Sequence, residues 1–352
     1  AAVACSACGG GEWCSVGRRL MTTQAAPTLL WFRLDLRLAD NPALARALER
    51  DGAVVPCFIW APDEEAPWEP GAASRWWLHH SLERLDEALR ARGSRLIIRR
   101  GPTLEALRGL VRDTGARAVL WNRRYEPAVI RRDAQVKEAL RADGVHAEST
   151  NSALLHEPWT VENKAGRPFQ VFTPFWRACL AKDDPAQPRP APATIRAPAA
   201  WPGTPRVHDL GLLPSIAWDA GLREAWSPGE AGAQVQLRRF TGEALLRYGE
   251  ARNRPDLPGT SRLSPHLHFG EIGPRQVWHA ARRAADKAGV PPEKWRAWQF
   301  LAEVGWREFA HHLLYHFPET PDRPLRPEFE RFPWRENAAA FKAWRRGRTG
   351  YP

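Results

Sequence analysis

From Thr28 onward, short apolar runs alternate with amphipathic stretches. Residues 28–33 (TLLWFR) read as a buried strand, and Asn41 with Pro42 then opens a helix running to about Arg50. The rhythm continues with strands at 53–60, 95–99, 116–121 and 145–148, and helices at about 74–92, 103–113 and 127–142. Strands separated by helix-length segments predict a parallel, doubly wound sheet whose ligands bind beyond the strands' carboxyl ends. This α/β domain is expected over 27–150.

Residues 151–226 lose this periodicity, and proline crowds 185–205, so a long surface linker is expected. Within it, the aromatic run at 171–176 (VFTPFW) can dock onto either domain. The pattern then turns helical at 229–249, 273–288, 291–317 and 337–346, with no further strand signal. The predicted fold class is therefore α/β followed by an all-α domain over 227–352. Its most informative stretch is 291–317, opened by Pro291 and Pro292 and closed by Pro318. On one continuous helix, Phe300, Glu303, Trp306, Arg307 and Ala310 share a face. Such a stripe suits core aromatics with an ordinary Glu303–Arg307 ion pair, and equally suits a site built from an acid, an indole and a guanidinium.

The chain has 51 Lys and Arg against 40 Asp and Glu, a formal charge of +11, which favours a polyanionic partner such as nucleic acid. Eighteen tryptophans among many arginines also suit base stacking and flavin chemistry. No apolar run is long enough to span a bilayer, so no membrane partner is expected. Of the five cysteines, Cys5, Cys8 and Cys14 lie near the amino end, leaving Cys57 and Cys179 in the body, a usage that fits a reducing cytoplasm. Cys5-x-x-Cys8 has no second half for zinc; of the pairs His266/His268 and His312/His316, the second lacks the H-E-x-x-H pattern and no acidic third ligand stands out, so no metal site is predicted. Neither G-x-G-x-x-G nor a Walker A loop is present. Residues 1–26 are small-residue and Gly-rich and hold the only methionine, Met21, so they read as a non-native or disordered extension, with the natural start expected at Met21.

Five short runs occur in order: WFRLDLRLADNP at 31–42, VFTP at 171–174, TSRLS at 260–264, WREF at 306–309 and GRTGYP at 347–352. Together they resemble the DNA photolyase/cryptochrome family over most of residues 28–352, and most of all the bacterial class I cyclobutane pyrimidine dimer photolyases. The resemblance implies light-driven repair by reduced FAD of DNA containing pyrimidine dimers, by a monomer. It implies that Thr260, Ser261, Arg262, Leu263 and Ser264 hold the FAD pyrophosphate, with Tyr248, Phe300, Glu303 and Arg307 at the flavin. Trp306 would stack on a flipped-out dimer, Glu303 would hydrogen-bond its bases, and Arg252 and Arg254 would bind flanking phosphates. Trp334 would be the outermost tryptophan of an electron relay, and Glu126 would contact an antenna chromophore, methenyltetrahydrofolate or a deazaflavin. Rival readings are a cryptochrome photoreceptor, a (6-4) photolyase, and a basic nucleic-acid binder without cofactor. Family members continue beyond the run ending at Tyr351 and Pro352. The chain is thus expected to be a fragment that binds FAD poorly and exposes an apolar face, with repair belonging to its parent.

Overall fold

The computed structural model describes residues 25–351; the expectation for residues 1–26 falls almost wholly outside them. Strands β1 (Thr28–Phe32), β2 (Val54–Trp60), β3 (Ile97–Arg100), β4 (Ala118–Asn122) and β5 (His146–Thr150) form one sheet, all pairs parallel, in the order β3-β2-β1-β4-β5. Helices α1 (Pro42–Leu48), α2 (Ala72–Arg90), α3 (Thr103–Thr114) and α4 (Pro127–Ala142) cross between strands. The two-residue alternation divides each strand between two cores. Leu30, Phe32, Val54 and Phe58 face Leu44, Trp76 and Leu82, whereas Leu29, Trp31, Val55 and Cys57 face Leu107, Leu110 and Val136. Both faces are covered, which is why these strands read as unbroken apolar runs. The order reverses at β1, between β2 and β4, and this leaves a crevice at the carboxyl ends.

The second body is helical: α5 (Phe172–Leu180), α6 (Ala220–Ala225), α7 (Glu230–Arg239), α8 (Tyr248–Ala251), α9 (Ser264–His268), α10 (Pro274–Lys287), α11 (Pro292–Trp295), α12 (Gln299–His316) and α13 (Ala338–Arg345). Among the described residues no strand follows β5. Three sequence expectations change. First, the connection is not simply a linker, because α5 places Phe175, Trp176 and Cys179 in the helical core with Phe240, Trp278 and Phe300. Second, the helix expected over 229–249 ends at Arg239 and continues as a π turn (Phe240–Ala244) and a 3-10 turn (Leu245–Arg247) into α8. At the transition the Thr241 hydroxyl donates to the Leu237 carbonyl at 2.9 Å, competing with the regular ladder. Third, the helix expected over 291–317 breaks before Gln299, where Trp298 has extended backbone (φ −59°, ψ 138°). No proline or glycine marks the break. It lets Trp295 pack edge-on against Trp278 at 5.3 Å while Phe300 packs against Phe240 at 4.5 Å, so tertiary burial overrides local propensity.

The run at 31–42 joins the two bodies. Arg37, 1% exposed, donates to the Asp40 and Gly270 carbonyls and to Ser152 Oγ. Glu230 accepts from the Leu38 and Ala39 N–H groups, and Arg275 donates to Asp40 at 2.8 Å. Gly270 has φ +64°, and a Cβ there would sit 2.2 Å from the Leu34 carbonyl oxygen, so only glycine permits this approach. Glu271, fully buried, accepts from Trp77 Nε1 at 2.9 Å, from the Gly229 N–H at 2.6 Å and from the Ser81 hydroxyl. Buried polar groups held this fully fix α9–α12 relative to the sheet.

Candidate functional site

The site is laid out along α12 and the short helix beside it. Phe300, at the start of α12, is buried, and Tyr248 at the start of α8 meets it edge-on with ring centres 5.5 Å apart. The Arg252 guanidinium lies 5.5 Å from the Tyr248 ring centre and pairs with Glu303, which also accepts from Gln299 Nε2 at 2.8 Å. Tyr248, Arg252, Phe300 and Glu303 therefore form one cluster. The separation of 51 positions between Arg252 and Glu303 explains why this pair was invisible to helical spacing.

Trp306 lies one turn beyond Glu303. Phe172 of α5 stacks on one face of it, ring centres 3.8 Å apart and planes 10° off parallel, and 48% of the residue is exposed. Gly305 makes that stack possible. A Cβ at residue 305 would lie 2.6 Å from the Trp176 indole, so α12 and α5 meet there at backbone distance. A half-exposed indole backed by an aromatic ring is a platform for a flat ligand.

The 260–264 loop is pressed onto α8, since a Cβ on Gly259 would be 2.2 Å from the Ala251 carbonyl oxygen. Leu263 anchors the loop in the core shared by Tyr248 and Phe300. Arg262 has φ +52°, rare for a residue with a side chain, and Leu263 is right-handed helical. A left-handed residue beside a right-handed one turns successive N–H groups toward one side, the geometry of an anion nest. The Thr260 and Ser264 residues are exposed. Arg262 itself points elsewhere: its guanidinium donates to the Ala225 carbonyl at 2.8 Å and covers the Trp226 ring at 4.1 Å. Any anion on this loop is held by backbone and hydroxyls rather than by that charge.

Other predicted residues stand apart. Arg307 does not pair with Glu303; it turns toward the α/β domain and donates to the Ala153 carbonyl at 2.6 Å. Burial lowers its pKa against the opposing charges of Glu308 and Glu126. Arg254 forms an exposed fork with Asp256, at 2.6 and 2.8 Å. Trp334 is 81% exposed and packs on Phe332 at 4.6 Å. Among the histidines, His312 Nε2 accepts from the Phe169 N–H at 3.1 Å and His266 pairs with Glu271, so both serve packing.

The sequence profile described as DNA photolyase matches residues 28–193, and that described as FAD binding domain of DNA photolyase matches 300–352. A deoxyribodipyrimidine photo-lyase of Agrobacterium fabrum is 42% identical over 333 residues, covering 94% of this chain and 68% of that protein. The chain belongs to the DNA photolyase family. Cryptochrome-1 of Arabidopsis thaliana is 39% identical, over 92% of this chain and 48% of its own length, so the chain spans about half of that relative. The crystal structure of a bacterial class III photolyase from Agrobacterium tumefaciens superposes with TM-score 0.88 at 41% identity, covering 95% of this chain and 68% of that one. The residues were read as resembling class I members; this solved relative carries the class III designation.

For a photolyase-family chain, the test of the cofactor is whether these residues fit FAD. They do: the loop offers a backbone nest and two exposed hydroxyls, and aromatic Tyr248 and Phe300 adjoin it through α8 and the shared core. The predicted antenna residue lies in a different place. Glu126 lines a cavity of about 650 Å³ at the carboxyl ends of β1, β2 and β4, with Trp31, Arg33, Trp60, Arg124 and His268. Burial alone would raise the Glu126 pKa, but the charge and hydrogen bond of Arg124 outweigh it and hold it at about 2. Arg124 is itself clamped between Glu126 and Glu65, at 2.9 and 3.0 Å.

Sequence reasoning missed Glu308. It is buried on the far side of α12 from the Glu303 cluster and accepts from the Leu155 and His156 N–H groups, at 2.8 and 3.2 Å. Burial pushes its pKa up to about 7. The residue was visible inside WREF, but only the docked connection shows which way it faces. Phe172, the backing of Trp306, was likewise visible only as part of an aromatic run.

Proposed function

We propose that the protein acts on DNA by light-driven repair of cyclobutane pyrimidine dimers, with reduced FAD as cofactor. The observation that carries this reading is the half-exposed Trp306, braced by Phe172, one helical turn from Glu303 and contiguous with Tyr248, Phe300 and the 260–264 loop. The loop N–H groups and the Thr260 and Ser264 hydroxyls hold the pyrophosphate. When bound, reduced FAD supplies the light-excited electron, and the chain supplies position, dryness and charge. Trp306 stacks on a flipped-out pyrimidine pair, and Glu303 accepts hydrogen bonds from its bases. Arg252 now pairs with Glu303; as Glu303 engages bases, Arg252 is released toward a flanking phosphate. Arg254 gives a second phosphate contact, Arg307 fixes the connection at the α/β face of the site, and Trp334 is the outer member of an electron relay.

The 650 Å³ cavity suits an antenna chromophore, methenyltetrahydrofolate or a deazaflavin, bordered by Glu126. An archaeal photolyase from Sulfolobus tokodaii, 26% identical with TM-score 0.74, was solved with two FAD molecules, described as implying a novel light-harvesting cofactor. Among the described residues no helix is long and apolar enough to cross a membrane. The buried, unpaired Cys57 and Cys179 suit a reducing compartment, and we read the protein as a cytoplasmic monomer.

A photoreceptor reading is favoured by the plant cryptochromes at 39% and 40% identity. A sensor needs no base-stacking indole beside a base-reading acid, and that pair supports repair. The test is Trp306→Ala. Affinity for an oligonucleotide carrying one thymine dimer is expected to fall roughly ten- to a hundredfold, the worth of one stacked base. Affinity for the undamaged oligonucleotide stays the same. Equal loss on both DNAs would contradict the stacking role.

A further inference from the structure

Among the described residues outside the flavin surface and the antenna cavity, one group of side chains has ligand chemistry and no part in repair. On α2, His79, His80 and Glu83 fall within little more than one turn, so two imidazoles and a carboxylate gather on one stretch of helix. Glu83 oxygens lie 3.2 Å from His79 Nε2 and 3.4 Å from His80 Nδ1. One donor atom from each of the three lies within 4.8 Å of the others. With bonds of about 2.0–2.2 Å, a tetrahedral ion separates its ligands by roughly 3.3–3.5 Å. Glu83 thus reaches His79 through Oε1 and His80 through Oε2, each at such an edge distance, and bridges the two rings.

The rings are also held in place. His80 packs edge-on against Trp76 at 4.7 Å, and Trp76 is fixed by its Nε1 bond to Asp219 at 2.8 Å. His79 is 3% exposed, and its Nδ1, like His80 Nε2, has no hydrogen-bond partner among the described residues. Those two nitrogens are turned from Glu83; His79 Nε2 and His80 Nδ1, which face its carboxylate, are the candidate donors. Glu83 is 45% exposed at its side chain, which opens the cluster to ions from solvent. Across from it, on the 3-10 turn Val207–Leu210 of the connection, exposed His208 has its ring centre 6.4 Å from that of His79.

We propose that His79, His80 and Glu83 bind one divalent transition-metal ion of the zinc type, with His208 closing the fourth side. Imidazole and carboxylate ligands in this number suit zinc, cobalt or nickel rather than magnesium or calcium. Because His208 comes from the connection and the other three from α2, the ion ties the connection to the α/β domain and stabilises the folded chain in proportion to its occupancy.

The experiment is calorimetric titration of chelator-stripped protein with zinc chloride, with magnesium chloride as control. It compares the native chain with Glu83→Gln and His80→Gln, both part-exposed positions whose metal-free melting temperatures verify folding. The native chain is expected to take up one zinc equivalent more than either variant, and to gain a zinc-dependent rise in melting temperature that both variants lack. His208→Ala, which removes the fourth ligand, should weaken that equivalent by at least about tenfold, the lower figure for losing even a supporting partner of a ligand. Zinc taken up by other groups, such as Cys5, Cys8 and Cys14, appears equally in native and variant chains and cancels. Equal stoichiometry in the three proteins, or tight magnesium uptake at the same equivalent, would overturn the proposal.

Discussion

Glu308 shows how much one side chain carries that its sequence position does not announce. Its carboxyl ties the start of the connection to α12, and burial raises its pKa from 4.5 to about 7. A carboxyl with a raised folded pKa binds more protons folded than unfolded, so its contribution is greatest below pH 4.5 and is lost as pH rises through 7. The full swing is on the order of 3 kcal/mol. His156, His311 and His312 act in the opposite sense. Burial lowers each from 6.5 to about 4, so their contribution is present above pH 6.5 and is lost as pH falls toward 4. The native pH profile mixes the two signs, and Glu308→Gln separates them. The stability of the native chain minus that of the variant, from urea unfolding, should fall steadily between pH 4.5 and 7.5. A flat difference would mean that Glu308 is ionised without penalty. At this scale the sequence showed which helix face a side chain takes and was a poor guide to its partner. Glu303 stood on the expected face, yet its partner is Arg252 and not Arg307, because the two helices that bring them together are set by packing.

Elements with strong local signals were legible. The expected strand over 53–60 and helix over 127–142 match Val54–Trp60 and Pro127–Ala142, because burial on both sheet faces and Pro at the first helical position leave little choice. The break before Gln299 and the π turn at Phe240 were not legible, since each serves aromatic packing between segments distant in sequence. Gly305 gives a test at this scale. In Gly305→Ala the new methyl overlaps Trp176 and must push α12 from α5. Overpacking of this kind costs about 1–3 kcal/mol. The Trp306–Phe172 stack rides on the same contact, so dimer affinity should fall with stability. A variant as stable as the native chain would show that α5 yields freely.

For the whole molecule, the sheet and the helical body behave as one unit because charged groups are buried between them. Glu271 receives donors from α2, from Gly229 and from His266. Glu271→Ala leaves those donors unmet, and loss of a buried hydrogen-bonded charge costs about 3–5 kcal/mol. Urea unfolding should move to lower midpoint and separate into two steps as the bodies uncouple; a single unshifted transition would contradict the clasp. The run at 31–42 was read from sequence as a family signature and proves to be this clasp's other half, which explains why so short a loop holds so many polar residues.

The central claim is that the surface formed by the 260–264 loop, Tyr248, Phe300, Glu303 and Trp306 supports light-driven dimer repair on bound FAD. The direct measurement is dimer loss from a thymine-dimer oligonucleotide by the protein, reduced and FAD-loaded, under blue light and in the dark. The prediction is dimer loss in the light alone, with one FAD per chain. Stoichiometric FAD with no dimer loss in the light, or equal loss in the dark, would contradict it.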